Sequence, residues 1–264
     1  MKKSVKAMII AALFLASTFF IVGGAAATSL FDGGIPAGWT TVGNAGTLGA
    51  NGVVTLAPSG GSQYGWVSTS GGVNGNHLSI GGTDGSTLTS SLFSASAGDA
   101  LAFQFNYVTS DGAGYADYAW ARLLDSSGTQ VALLFTARTT PNGNSVPGFD
   151  MPAIAATIDP ATVTITAGGP QWSPLGSYSG ACYNAGCGFT GWVKSTYDIA
   201  NAGNYYLQFG VANWQDTIYD SGMAFDGITV GGVPIGGAVP EPATMFLLGL
   251  GLVGLARVRR KFKK

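Results

Sequence analysis

Between residues 28 and 239 no stretch repeats its apolar residues with the 3.6-residue period of a helix. Short apolar or alternating runs recur instead, each bounded by Gly, Asn, Asp or Ser, and this is the signature of strands joined by tight turns. The clearest run is 101–108, LAFQFNYV, which puts Leu101, Phe103, Phe105 and Tyr107 on one face. Gln104 and Asn106 fall on the other face. Further strands are expected over 53–56, 78–80, 118–124, 131–136, 162–166, 205–211 and 223–230. About 212 residues are enough for a single domain with a sizeable core. The expected fold is all-β, a jelly-roll-type antiparallel β-sandwich of two packed sheets.

Turn chemistry supports that division. Asp32-Gly33, Asp84-Gly85, Asp111-Gly112 and Asp226-Gly227 are pairs that favour turns with positive φ. Two long loops are expected, at 139–157 with its three prolines and at 167–191. The second holds both cysteines, Cys182 and Cys187, in CYNAGC. In an oxidising compartment they should pair as a local staple, since two cysteines and a distant histidine make no metal site.

Charge is unevenly distributed. Residues 28–239 carry only Arg122, Arg138 and Lys194 against twelve aspartates, a net charge of −9. Such a domain repels nucleic acid and anionic lipid, so nucleic-acid binding is excluded as a function. It attracts cations, and Ca²⁺ is the one cofactor its carboxylates suggest. The only glutamate in the chain, Glu241, lies outside this span, which disfavours most sugar-hydrolysing chemistry. His77 is the only histidine and no Gly-x-Ser-x-Gly elbow accompanies it, so nothing marks a Ser-His-Asp device.

Both ends of the chain carry addresses. Lys2, Lys3 and Lys6 precede an apolar stretch over 7–22, and Ala25 and Ala27 offer the small residues of a cleavage site. Residues 1–27 therefore read as a signal peptide, with the mature chain starting at Thr28. At the other end Pro240-Glu241-Pro242 forms an extended handle, because proline fixes φ and disfavours helix before it. Fourteen uncharged residues follow, 243–256, and then the basic cluster Arg257, Arg259, Arg260, Lys261, Lys263 and Lys264. The run is short for a membrane span of about twenty residues, though snorkelling of the arginines extends its reach. The basic cluster acts as a stop-transfer signal that stays cytoplasmic. The resulting division is a signal peptide at 1–27, a sandwich at 28–230, a glycine-rich linker at 231–239 and a C-terminal signal at 240–264.

That C-terminal layout closely resembles the PEP-CTERM sorting signal of Gram-negative bacteria. The resemblance implies an exosortase-like membrane enzyme as partner, cleaving near Pro240-Glu241-Pro242. It implies export, transient anchoring in the inner membrane through the C-terminal helix, and delivery to the cell surface or extracellular matrix. Residues 94–124, SASAGDALAFQFNYVTSDGAGYADYAWARLL, and 223–230, MAFDGITV, resemble strands recurring in PEP-CTERM ectodomains. Their likeness to carbohydrate-binding modules concerns the fold more than the function.

Asp111, Asp117 and Asp226 are the candidate calcium ligands, since the first two flank a glycine-rich turn and the third lies on a strand able to run beside it. Trp172, Trp192 and Trp214 are the candidate sugar-stacking residues, each in or beside a loop. The expected function is that of a non-enzymatic surface or matrix protein interacting with extracellular polysaccharide or other cells. The alternative is a secreted polysaccharide hydrolase using aspartates.

Overall fold

The computed structural model describes residues 29–235. The signal peptide, the Pro240-Glu241-Pro242 handle, the expected helix over 243–256 and the basic cluster lie outside the described residues. Among those described, no helix is long and apolar enough to cross a membrane.

Eight principal strands follow one another along the chain. They are β1 (Tyr64–Ser68), β2 (Asp84–Thr89), β3 (Ala100–Thr109) and β4 (Tyr118–Asp125), then β5 (Gln130–Arg138), β6 (Val193–Asp198), β7 (Gly203–Ala212) and β8 (Ser221–Val230). One sheet runs β6-β3-β8-β1 and the other β2-β7-β4-β5, with every neighbouring pair antiparallel. Strands β1 with β8, β2 with β7, β3 with β6 and β4 with β5 are partners, which is the jelly-roll arrangement. Shorter strands extend the edges: Asn44–Leu48 beyond β1, Thr157–Asp159 beyond β6 and Thr40–Val42 beyond β2.

Phenylalanines join the two sheets. Phe105 of β3 stacks on Phe135 of β5 at 3.8 Å between centroids, and Phe209 of β7 on Phe225 of β8 at 3.9 Å. Phe103 meets Phe209 edge-on at 5.2 Å. Each ring is buried, and such burial stabilises by about 1.5–3 kcal/mol per side chain. The alternation expected in 101–108 holds, with Leu101, Phe103, Phe105 and Tyr107 all in the core.

The outer face of the β6-β3-β8-β1 sheet is not left to solvent. Trp172 lies across β8 at Gly222, where a β-carbon would stand 2.5 Å from its ring. Its indole Nε1 donates to the Tyr64 hydroxyl at 3.0 Å. Val54, Val108, Leu175 and Ala224 complete this second apolar layer. Asn106, on this outer face of the strand, is therefore buried.

Local signals misplace some elements. Residues 53–56 and 78–80 are not strands: Val54 closes a single bridge to Asn51, and Leu78 is buried in a turn region. Strands β1, β2 and β6 are rich in Gly, Ser and Thr, and pairing partners distant in the chain hold them in place. Asp84-Gly85 is not a turn but the start of β2. A β-carbon at Gly85 would collide with the carbonyl oxygens of Asn76 and Val211.

Candidate functional site

The registers place four connections at one end of the sandwich: 69–83, 110–117, 139–192 and 213–220. Five of the twelve aspartates gather there, at 84, 111, 117, 216 and 220.

Asp117, immediately before β4, is fully buried. Its Oδ1 accepts the Trp214 N–H at 2.8 Å and its Oδ2 the Ser221 hydroxyl at 2.7 Å. Asp111 is 1% exposed. Its Oδ1 accepts the Gly112 N–H at 2.7 Å, while Oδ2 has no conventional donor. The two carboxyl groups are close enough for the charge of Asp111 to act on Asp117. Each negative charge disfavours the other. Burial pushes Asp111 up to about 7, the Gly112 N–H opposes the rise, and the charge of Asp216 adds to it. Burial and the charge of Asp111 drive Asp117 in the same direction.

Beside this pair opens a polar cavity of about 740 Å³, lined among others by Thr69, Ser70, Asn74, Thr83, Asp84 and Asp220. Asp220 accepts the Thr69 hydroxyl at 3.0 Å, and burial raises its pKa. Asp84 accepts the Asn213 side-chain amide at 3.0 Å. At the same end of the sandwich stand four tyrosines from three loops. Tyr115 meets Tyr183 edge-on at 5.4 Å, Tyr183 meets Tyr219 at 5.1 Å, and Tyr219 meets Tyr178 at 4.8 Å. All four keep part of their surface in solvent, and Tyr183 is 43% exposed.

The supports of this cluster are local. The Cys182–Cys187 disulfide closes the loop carrying Tyr183, as the cysteine spacing suggested. That loop is tied to the Asp111 turn by Tyr183 N–H to Ser110 O at 2.9 Å and Ala113 N–H to Ala185 O at 2.8 Å. Tyr219 and Gln215 both have left-handed backbones, with φ of 59° and 74°. A bulky residue held there costs about 1–3 kcal/mol, and such strain concentrates where a side chain must be aimed.

The site residues expected from sequence are only partly brought together. Asp111 and Asp117 lie at the same end, but Asp226 lies in the middle of β8, where its Oδ1 accepts the Ser29 hydroxyl at 2.6 Å. The calcium set thus loses its third ligand. Among the described residues no group of three His, Cys, Asp or Glu side chains is placed to hold a metal ion. Trp172 is fully buried and presents no face to a ligand. Trp214 is half-buried, with the Arg138 guanidinium 4.5 Å over its ring. Trp192 sits on the outer sheet face, donating to Thr55 O at 3.1 Å. The aromatic cluster at this end is instead made by tyrosines. Their one sequence signal is their position in Gly-, Ser- and Asn-rich loops, and CYNAGC alone ties one of them to a rigid anchor.

The described sandwich accounts for the exported part of the chain; the tail accounts for its routing. Residues 238–261 match the PEP-CTERM protein-sorting motif. The chain carries a PEP-CTERM sorting signal. That signal marks an exported protein processed by an exosortase, a membrane enzyme, with transient membrane anchoring before surface display. No curated protein matches the chain. Among solved structures, the PEP-CTERM ectodomain is similar to the K3 cleaved adhesin domain of Lys-gingipain from Porphyromonas gingivalis. Identity is 15% over 78% of this chain and 98% of that one, with a TM-score of 0.37. It is also similar to the enzymatically active domain of tailspike protein 4 from bacteriophage CBA120, at 13% identity and a TM-score of 0.33. That match covers 74% of this chain and 19% of the tailspike chain. Neither likeness assigns a ligand to this chain.

Proposed function

We propose that the exported sandwich is a non-catalytic polysaccharide-binding module of the cell surface or extracellular matrix. The observation that carries this reading is the tyrosine cluster at the same end of the sandwich as the polar cavity. Aromatic faces cover the apolar side of pyranose rings, while Thr, Ser, Asn and Asp groups satisfy hydroxyls. The net charge of −9 favours a neutral polymer over an anionic one. The carboxyl pair Asp111–Asp117 is closed off from solvent, which supports a structural role for it over acid–base attack on a sugar.

Affinity electrophoresis of the exported protein in gels containing neutral polysaccharides tests this reading. Migration is retarded by at least one polymer, and Tyr219→Ala weakens that retention by about tenfold, or 1.4 kcal/mol. A protein that no polymer retards, or a Tyr219→Ala variant retarded like wild type, would overturn it. For the tail, Glu241→Ala leaves the sandwich folded and blocks processing, read as an unchanged C-terminus by mass spectrometry. Normal trimming in that variant would count against Glu241 as the recognised group.

A further inference from the structure

The polar cavity at the acidic end holds more hydrogen-bond acceptors than the described residues satisfy. Asp84 begins β2 and Asp220 immediately precedes β8, so each sheet supplies one carboxylate to its lining. Burial raises the pKa of Asp220, and the charge of Asp84 adds to the rise, which places the two groups in one field. The ends of the described chain are remote from them. Ser29 bonds Asp226 and Ile235 bonds Ile228, at least six residues further along β8, or roughly 20 Å.

Each carboxylate keeps one oxygen towards open space. Asp220 is 6% exposed and its Oδ1 accepts the Thr69 hydroxyl, while its Oδ2 lies 3.8 Å from where a Gly176 β-carbon would stand. Asp84 Oδ1 accepts the Asn213 amide at 3.0 Å, and its Oδ2 lies 3.0 Å from where a β-carbon at Gly72 would stand. Asn213 adds a further acceptor. It is fully buried, and its nitrogen must face Asp84, so its Oδ1 lies on the other side of the amide. No donor among the described residues reaches that oxygen, which stands at most about 5.3 Å from Asp84 Oδ1.

Donors are scarce in return. The Thr83 hydroxyl is spent on Asp216 O. Arg138, the one basic side chain at this end among the described residues, donates to Ala116 O and lies over the rings of Trp214 and Phe149. Arg122 is bonded to Gln208 in mid-strand, and Lys194 lies on β6.

We propose that this cavity is an amine subsite, which takes the protonated amino group of an amino-sugar unit between Asp84 and Asp220. The inference rests on the polysaccharide reading above and narrows it to a polymer bearing free amines. An ammonium brings three N–H donors and a positive charge to two carboxylates and an unmet amide oxygen. Calcium would need six to eight oxygen ligands, and no group of three acidic, His or Cys side chains assembles among the described residues. A cavity of about 740 Å³ admits a sugar ring, and Ser70, Asn74 and Thr217 remain to meet its hydroxyls. An N-acetylated sugar offers only a neutral amide there and leaves both carboxylates without a counter-charge.

Isothermal titration calorimetry of the exported protein at about pH 6, where the amine is protonated, tests this with three β-1,4-linked tetramers. They are built of glucosamine, N-acetylglucosamine and glucose. The glucosamine tetramer is expected to bind about tenfold tighter than the other two. Asp220→Asn and Asp84→Asn should remove that preference. Asp198→Asn, the same change of charge at the opposite end of the sandwich, should keep it. Thr217→Lys, at the exposed rim, places an ammonium of the protein's own in the cavity and should also remove it. Unchanged melting of this last variant separates a filled site from a damaged fold. Equal affinity for the three tetramers, or a preference that Asp198→Asn loses as fully as Asp220→Asn, would overturn the amine subsite and leave the polysaccharide reading standing. Binding of none of the tetramers would overturn it too; the polysaccharide reading falls with it only if the affinity gels also show no retardation.

Discussion

Strand β4 has an aspartate at each end, and the two do opposite work. Asp125, partly exposed, opens the β4–β5 hairpin, where its Oδ1 accepts the Ser127 N–H at 2.8 Å, the Ser127 hydroxyl at 2.6 Å and the Thr129 N–H at 2.9 Å. Those hydrogen bonds, led by the Ser127 hydroxyl, hold its pKa below the usual carboxylate range. Asp117, eight residues earlier, is fully buried against Asp111, and burial drives its pKa upward. The first aspartate is turn chemistry and can be read from DSSG. The second becomes a buried carboxyl of raised pKa because distant loops fold over it. The ends of the sandwich differ in the same way. One end is closed by short self-satisfied turns. The other gathers the acid pair, the disulfide, two left-handed residues and four tyrosines from three loops.

The largest test of that contrast is truncation at each end of β4. Asp117→Ala strips the Trp214 N–H and the Ser221 hydroxyl of their acceptor inside the protein, at a cost of about 3 kcal/mol. For a domain of this size the melting temperature falls by roughly 6–12 °C. Asp125→Ala leaves groups that water can satisfy, so its loss is much the smaller. Equal losses by thermal denaturation would break the comparison.

A smaller effect should appear in the pH profile. The folded-state pKa of Asp111 is raised, so between about pH 4 and 7 the native protein binds more protons than the unfolded chain. Stability is therefore full below the unfolded pKa and declines as pH rises through about 7. The melting temperature should climb on acidification from pH 8 to pH 5, and Asp111→Asn should flatten that slope. A wild-type profile that instead rises with pH would contradict the raised pKa of Asp111.

How much of this was legible beforehand divides along the same line. The alternating run at 101–108 has a period of two, so its buried face could be named residue by residue. The cysteine pair, six residues from end to end, could be paired because nothing else in the chain competes for it. Strand β2 could not be recognised, since DGSTLT owes its place to β7 and not to its own propensities. Trp172 looked like a loop aromatic and is buried because Gly222 and Tyr64 receive it from segments about 50 and 110 residues away. The tyrosine cluster was out of reach for the same reason: Tyr115, Tyr178, Tyr183 and Tyr219 share no local pattern and meet only when three loops converge.

The acidic, tyrosine-bearing end of the sandwich is the proposed binding face. Hydrogen–deuterium exchange of the exported protein, with and without a saturating polysaccharide that retards it, tests this most directly. Slower exchange is predicted in 110–116, 176–185 and 213–220, with the β4–β5 hairpin at 125–130 unchanged. Protection confined to the hairpin end, or to the outer face around Trp192, would contradict the account.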